Sequence, residues 1–247
     1  MIKILFINPN KWGRGITTIW IASHSAILKK MGFEVDLFDC TFYKNWSNDE
    51  TNYNTDNKQY KPTDYSNFIN YKTEDVKIDF QKKVSEYKPD IIFWSALSSH
   101  IHGEGEYVNI EYGYELIKEL NDNSIKITGG IQATASPEEI LKRFKKIDYL
   151  ISGESEFVLA EACKLIESNK DIKKLNGVSY LKNNEIIKNN NQKIISNLND
   201  LPKYNYQIFD DQVFFRPYNG KIIRAVDYEM SRGCIYTCSY CVETVIQ

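Results

Sequence analysis

Cys234, Cys238 and Cys241 lie together near the end of this 247-residue chain, in Arg-Gly-Cys-Ile-Tyr-Thr-Cys-Ser-Tyr-Cys, with the spacing C-x₃-C-x₂-C. A structural zinc site closes its shell with four ligands, and protein iron–sulfur clusters normally take four cysteines. The other two cysteines, Cys40 and Cys163, sit in apolar stretches far away in sequence and read as small buried residues. Three thiolates without a fourth suit an iron–sulfur cluster that keeps one iron open for a substrate-like ligand. Zinc binding or a redox role is the alternative for the same three residues.

A second set of candidates is small and polar: Ser95, Ser98, Ser99, Gly129, Gly130, Thr134 and Gly153. Glycine lets backbone approach a ligand closely, and hydroxyls and amides offer hydrogen bonds. Such residues suit a large flat ligand; glycines that only turn the chain are the alternative.

The elements that must position these residues alternate. Strands are expected over residues 2–7, 34–38, 90–95, 125–128 and 148–152, and helices over 17–30, 74–87, 104–120 and 154–168. Ser136-Pro137-Glu138-Glu139 reads as a capping box that starts a further helix. Residues 41–71 are polar, rich in Asn and Tyr, and read as an insertion or surface excursion. The alternation predicts an α/β fold, a doubly wound five-stranded parallel sheet with helices on both faces. Ligands of such sheets lie beyond the carboxyl ends of the strands, in the loops 8–15, 95–103, 129–135 and 152–155. A hairpin is expected around Asn183-Asn184, then a connector, then a strand over 222–229 that leads into the cysteine loop. The expected units are 1–172, 173–221 and 222–247.

A net charge of −2 and a hydrophobic fraction of 42% describe an ordinary globular chain. Neither points to nucleic acid or an anionic membrane as a partner. The first residues are too short an apolar run for a signal peptide or a membrane span. Clustered cysteines read as a metal site rather than a disulfide framework, so a cytoplasmic location is expected.

The cysteine run resembles the signature of the radical S-adenosylmethionine (radical SAM) enzymes, and Tyr240, the aromatic residue before the third cysteine, fits it. The resemblance implies a [4Fe–4S] cluster on Cys234, Cys238 and Cys241 whose open iron chelates S-adenosylmethionine for reductive cleavage. Ser95-Ala96-Leu97, with Ser98 and Ser99, is similar to the Ser-x-Leu element of cobalamin-binding domains, and Gly129-Gly130 is similar to their paired glycines. Gly153-Glu154-Ser155-Glu156 is similar to the Gly-Glu-x-Glu run found where such a domain precedes a radical SAM barrel. These likenesses imply a flavodoxin-like, B12-binding Rossmann-type domain followed by the first strand of a partial barrel. Its cobalamin would be met by Ser95, Leu97, Ser98, Ser99, Gly129, Gly130, Thr134, Gly153 and Glu154. One departure matters: Asn10-Lys11-Trp12-Gly13-Arg14-Gly15 stands where His-ligated relatives carry Asp-x-His-x-x-Gly. Bound cobalamin is therefore expected to lack a histidine from that loop as lower axial ligand.

The implied activity is methyl transfer or cyclisation on a small molecule, with flavodoxin or ferredoxin as electron donor. The alternative is a non-catalytic cobalamin- or nucleotide-binding module whose cysteine tail binds zinc or nothing. A full (β/α)₈ barrel takes about 250 residues, whereas six residues follow Cys241, so the chain is expected to be the N-terminal portion of a longer enzyme. His24 reads as a packed polar residue, and His100 and His102 as loop residues on the ligand side. Glu104, Glu106 and Glu111 read as a helix N-terminal cluster, and Trp12 and Trp94 as packing residues. Arg232 either steadies the charge of the cluster loop or is solvated.

Overall fold

The computed structural model describes residues 1–47, 66–96 and 109–241. Five strands are parallel: β1 (Lys3–Asn8), β2 (Glu34–Asp39), β3 (Ile91–Ala96), β4 (Ile125–Gly130) and β5 (Tyr149–Ile151). The hairpin β6 (Val178–Lys182) and β7 (Glu185–Lys188) continues the same sheet antiparallel, giving the order β2-β1-β3-β4-β5-β6-β7. The sheet is thus mostly parallel and seven-stranded, where five strands were expected.

The hairpin joins the sheet because β5 would otherwise be a bare edge, which proteins cover or pair. Ile151 and Val178 stand in register and lie buried in one core. Asn183 and Asn184 turn the hairpin with φ of 51° and 63°, the two positive values that a tight two-residue turn requires.

Helices follow each parallel strand: α1 (Ile19–Lys30), α2 (Val76–Tyr87), α3 (Ile110–Ile117), α4 (Ile131–Ala135), α5 (Pro137–Arg143) and α6 (Glu156–Glu167). Strand side chains alternate between two cores. Ile4, Phe6, Ile91 and Phe93 meet α1 and α6, whereas Leu5, Ile7, Ile92 and Trp94 meet α2, α3 and α5. Strands buried on both faces read as continuous apolar runs, which is why they were visible in the sequence. Asp75 starts α2 by accepting hydrogen bonds from the backbone N–H groups of Lys77 and Ile78.

Several expectations need correction. The segment 129–135 contains α4 rather than a loop. Ser136 makes no side-chain cap, so the capping box does not form. Its N–H bonds the carbonyl of Gln132 at 3.0 Å, closing α4, and Pro137 opens α5. The strand expected over 222–229 is shorter. β9 (Lys221–Arg224) pairs with β8 (Phe215–Tyr218) in a separate two-stranded sheet across an Asn219-Gly220 turn. Beyond β9 the chain bends toward α1, because Asp227 binds Thr17. The near end of the polar 41–71 segment is not a surface excursion, since Phe42, Tyr43 and Trp46 are buried, as is Ile69. Residues 48–65 and 97–108 lie outside the described residues, and with them Leu97, Ser98, Ser99, His100, His102, Glu104 and Glu106. No helix among the described residues is long and apolar enough to cross a membrane.

Close packing at Gly113 offers a test of the core. A Cβ there would lie 2.3 Å from Cδ1 of Trp94, which is fully buried and donates from Nε1 to the Ile110 carbonyl. Gly113→Ala is expected to cost about 1–3 kcal/mol through overpacking, read as a lower urea midpoint. An unchanged midpoint would contradict this packing.

Candidate functional site

A cleft of about 1500 Å³ opens at the carboxyl ends of β3, β4 and β5. Of the candidates singled out in the sequence, Ser95, Gly130, Thr134, Gly153 and Glu154 line it. Gly129 stands just behind, opposite Ser95 in the ladder, where a Cβ would lie 3.3 Å from both the Ile151 carbonyl oxygen and Phe93 Cζ. Thr134 ties two strand ends together: its hydroxyl donates to the Gly130 carbonyl at 2.9 Å and accepts from the Gly153 N–H at 2.7 Å. Gly130 and Gly153 have φ of 92° and 75°, a backbone that disfavours side chains, so glycine is needed at both strand exits.

Three further groups of lining residues were not read from the sequence. Residues 16–20 and His24 bring the start of α1 to the cleft, and residues 188–198 form a facing wall. The side chain of Gln192 donates to the Glu154 carbonyl, and the Ile195 N–H donates to the Glu154 carboxylate. Residues 226–233, which lead into Cys234, complete the lining. These contributions come from contacts between distant parts of the chain, and no local pattern marks them.

His24 is packed, as expected, yet it sits at the cleft. Its Nδ1 lies 2.7 Å from the Trp20 carbonyl, which can only accept, so Nδ1 carries the proton. Nε2 then accepts from the Ser155 hydroxyl at 2.8 Å, and the ring stacks on Phe93. Beside it, the Trp20 indole N–H is buried with no partner among the described residues.

Arg232 is paired with carboxylates rather than solvated. Its NH1 meets Glu154 at 3.0 Å, NH2 meets Glu156 at 2.6 Å and Nε meets Glu229 at 2.7 Å. Against the upward pull of burial, its charged partners hold the Glu156 carboxyl below its usual value. Five residues earlier, Asp227 accepts from the Thr17 N–H at 3.0 Å and hydroxyl at 2.8 Å, and it is gripped by both terminal nitrogens of Arg216. The chain entering the cysteine loop is therefore anchored at two points.

Cys234 is exposed, and Cys238 and Cys241 are partly buried. The Cys241 N–H donates to the Cys238 carbonyl at 3.0 Å, and Tyr240 is exposed. Among the described residues, no three His, Cys, Asp or Glu side chains are grouped so as to hold a metal ion. The fit of a cluster here rests on the donor set, three thiols on one short loop. The loop after β1 offers no histidine. Asn10 folds it on itself, donating to the Arg14 carbonyl and the Thr41 hydroxyl and accepting from the Trp12 N–H.

The buried His24 predicts a pH dependence. Burial pushes its pKa below the ordinary 6.5, although the Glu156 carboxylate pulls the other way. On acidification the unfolded chain takes up this proton first, so stability is full above the ordinary value and falls below it. The thermal midpoint should drop from about pH 7.5 to about pH 5.5, and His24→Gln should flatten that drop. Parallel curves for the two proteins would contradict the assignment.

No protein-family model matches the chain. It is 24% identical over 251 residues to the anaerobic magnesium-protoporphyrin IX monomethyl ester cyclase of Cereibacter sphaeroides, covering 97% of this chain and 34% of that one. It is 29% identical over 134 residues to the same-named enzyme of a Synechocystis strain, covering 51% of this chain and 24% of the relative. The cobalamin-dependent radical SAM methyltransferase TokK of Streptomyces tokunonensis is 26% identical over 156 residues, 62% of this chain and 22% of its own. This chain therefore spans no more than about a third of the length of these relatives. The radical SAM methyltransferase TsrM from Kitasatospora setae, solved with cobalamin and a [4Fe-4S] cluster bound, shares the fold. The TM-score is 0.56 at 18% identity, over 77% of this chain and 31% of that one. The cobalamin-dependent S-adenosylmethionine radical enzyme OxsB also shares the fold, with a TM-score of 0.51 at 17% identity, over 78% of this chain and 23% of its own. The chain is thus similar in sequence to cobalamin-dependent radical SAM enzymes such as TokK, and it shares its fold with TsrM and OxsB.

Proposed function

We propose that this chain is the N-terminal part of a cobalamin-dependent radical SAM enzyme acting on a small molecule by methyl transfer or cyclisation. In this reading the parallel strands form a doubly wound, flavodoxin-like unit over 1–172, with a hairpin and linker over 173–221 and the start of the radical SAM domain over 222–247. The observation that carries it is a shared wall. Residues 226–233, which deliver the chain to Cys234, line the same cleft as Ser95, Gly130, Thr134, Gly153 and Glu154. A cobalamin site and a cluster site built on these residues would be neighbours. TsrM, solved with cobalamin and a [4Fe-4S] cluster bound, and OxsB, solved with aqua-cobalamin and S-adenosylmethionine bound, support the same pairing.

The residues fit the groups they would hold. The cleft, at about 1500 Å³, has room for a large macrocyclic ligand, its glycines permit close backbone approach, and the Trp20 N–H is a spare donor at its edge. Gly129 and Gly130, with Ser95, Thr134, Gly153 and Glu154, would meet the cobalamin, joined by Leu97, Ser98 and Ser99. Cys234, Cys238 and Cys241 would ligate the cluster, and Tyr240 would flank the bound S-adenosylmethionine. When bound, the cluster supplies one-electron reduction of S-adenosylmethionine, and cobalamin supplies an alkyl carrier. The protein's own part is to present three thiolates, hold the loop base against the cleft and keep water from the reacting groups. A flavodoxin or ferredoxin would serve as electron donor.

Anaerobic reconstitution of the full-length protein tests this reading. Brown protein with about four irons and matching sulfide is expected, together with cobalamin bound without a histidine ligand. Cys234→Ala, Cys238→Ala or Cys241→Ala should each lose most of the iron. Colourless protein that binds neither cofactor, unaltered by these substitutions, would instead favour a non-catalytic module.

A further inference from the structure

We infer that Arg232 is a positioning residue that couples the cysteine loop to the cleft, so that filling the cleft and holding the cluster strengthen each other. This rests on the reading above for the identity of the two ligands; the coupling itself is drawn from the geometry.

Arg232 uses all three of its nitrogens on carboxylates from two separate stretches of chain. Glu154 lies in the turn between β5 and α6, Glu156 opens α6, and Glu229 lies in the segment that enters the loop. All four residues line the cleft. Glu154 also holds the facing wall through Gln192 and Ile195, so three walls of the cleft meet at one guanidinium. Gly233, with φ of 82°, bends the chain immediately afterwards, and Cys234 follows. Beyond that bend the loop projects outward, with Ile235, Tyr236 and Tyr240 exposed. Arg232 is thus where the loop is pinned, and a ligand that shifts any wall is felt at its base.

The choice of arginine matters. A guanidinium presents donors in fixed, divergent directions, so it engages three carboxylates at once, whereas an ammonium is a point charge on a flexible stem. Arg232→Lys keeps the charge that the three acids need but loses the divergent grip. Binding coupled through such a contact is reciprocal: whatever the cluster adds to cobalamin affinity, cobalamin adds to cluster retention.

The test uses the full-length protein and hydroxocobalamin, titrated with the cluster reconstituted and again after the iron is removed by chelation. The wild-type protein should bind cobalamin about tenfold more tightly with its cluster than without. In Arg232→Lys that ratio should fall to near one, whatever the affinity of the iron-free variant. A purely structural role would weaken both titrations alike and keep the ratio. Should Arg232→Lys lose its far-ultraviolet dichroism, Glu229→Gln, which removes one arm of the cage, carries the same expectation. A wild-type ratio of one, or a ratio preserved in the folded variant, overturns the coupling while leaving the proposed function intact. Failure of the wild-type protein to bind either cofactor overturns both.

Discussion

One guanidinium among three carboxylates joins the carboxyl edge of the sheet to the cysteine loop. Arg232 has a side chain only 20% exposed, and Glu156 is nearly inaccessible at 5%. Charges this far from water are stable only when paired, and removing one partner of such a set typically costs about 3–5 kcal/mol. Glu154 and Glu156, at the end of the β5–α6 turn and the start of α6, therefore depend on the approach of a segment some 75 residues later in the chain, as that segment depends on them. This closure holds residues 226–233 against the cleft.

The same closure is reinforced at the amino end of α1. Asp227 fills the hydrogen-bonding needs of Thr17 just before the helix starts, and Arg216 neutralises it from the small hairpin. Burial alone would raise the Asp227 carboxyl, but its partners hold it below the usual range, so the contact persists at neutral pH. The connector behind it packs as tightly. A Cβ on Gly15 would lie 2.2 Å from the Val213 carbonyl oxygen, so the loop after β1 and the 211–214 turn are built against each other. This contact, with the inward bonds of Asn10, shapes the loop after β1.

TsrM shares the fold at 18% identity, which is enough to preserve a fold and too little to carry individual contacts across. A likeness of fold is what the comparison carries. The Arg232 cage and the wall from 188 to 198 are properties of this chain read from its own geometry.

Much of the architecture was legible in the sequence because its causes are local. Continuous apolar runs marked the parallel strands, Asn183-Asn184 marked the hairpin turn, and the spacing of Cys234, Cys238 and Cys241 marked the thiol loop. Each of these signals lies within a few residues and follows from backbone sterics or ligand chemistry. The misses were of another kind. Ser136 looked like a helix cap, but the preceding turn had already become α4 and taken its N–H. The hairpin's place in the main sheet, the role of Arg232 and the wall holding Gln192 depend on which distant surfaces meet. An arginine reads the same in a sequence whether water or three carboxylates surround it. The sequence by itself determined the strands, the turns and the thiol spacing; tertiary structure alone decided what closes the cleft, because ion pairing and burial are settled only when remote segments come together.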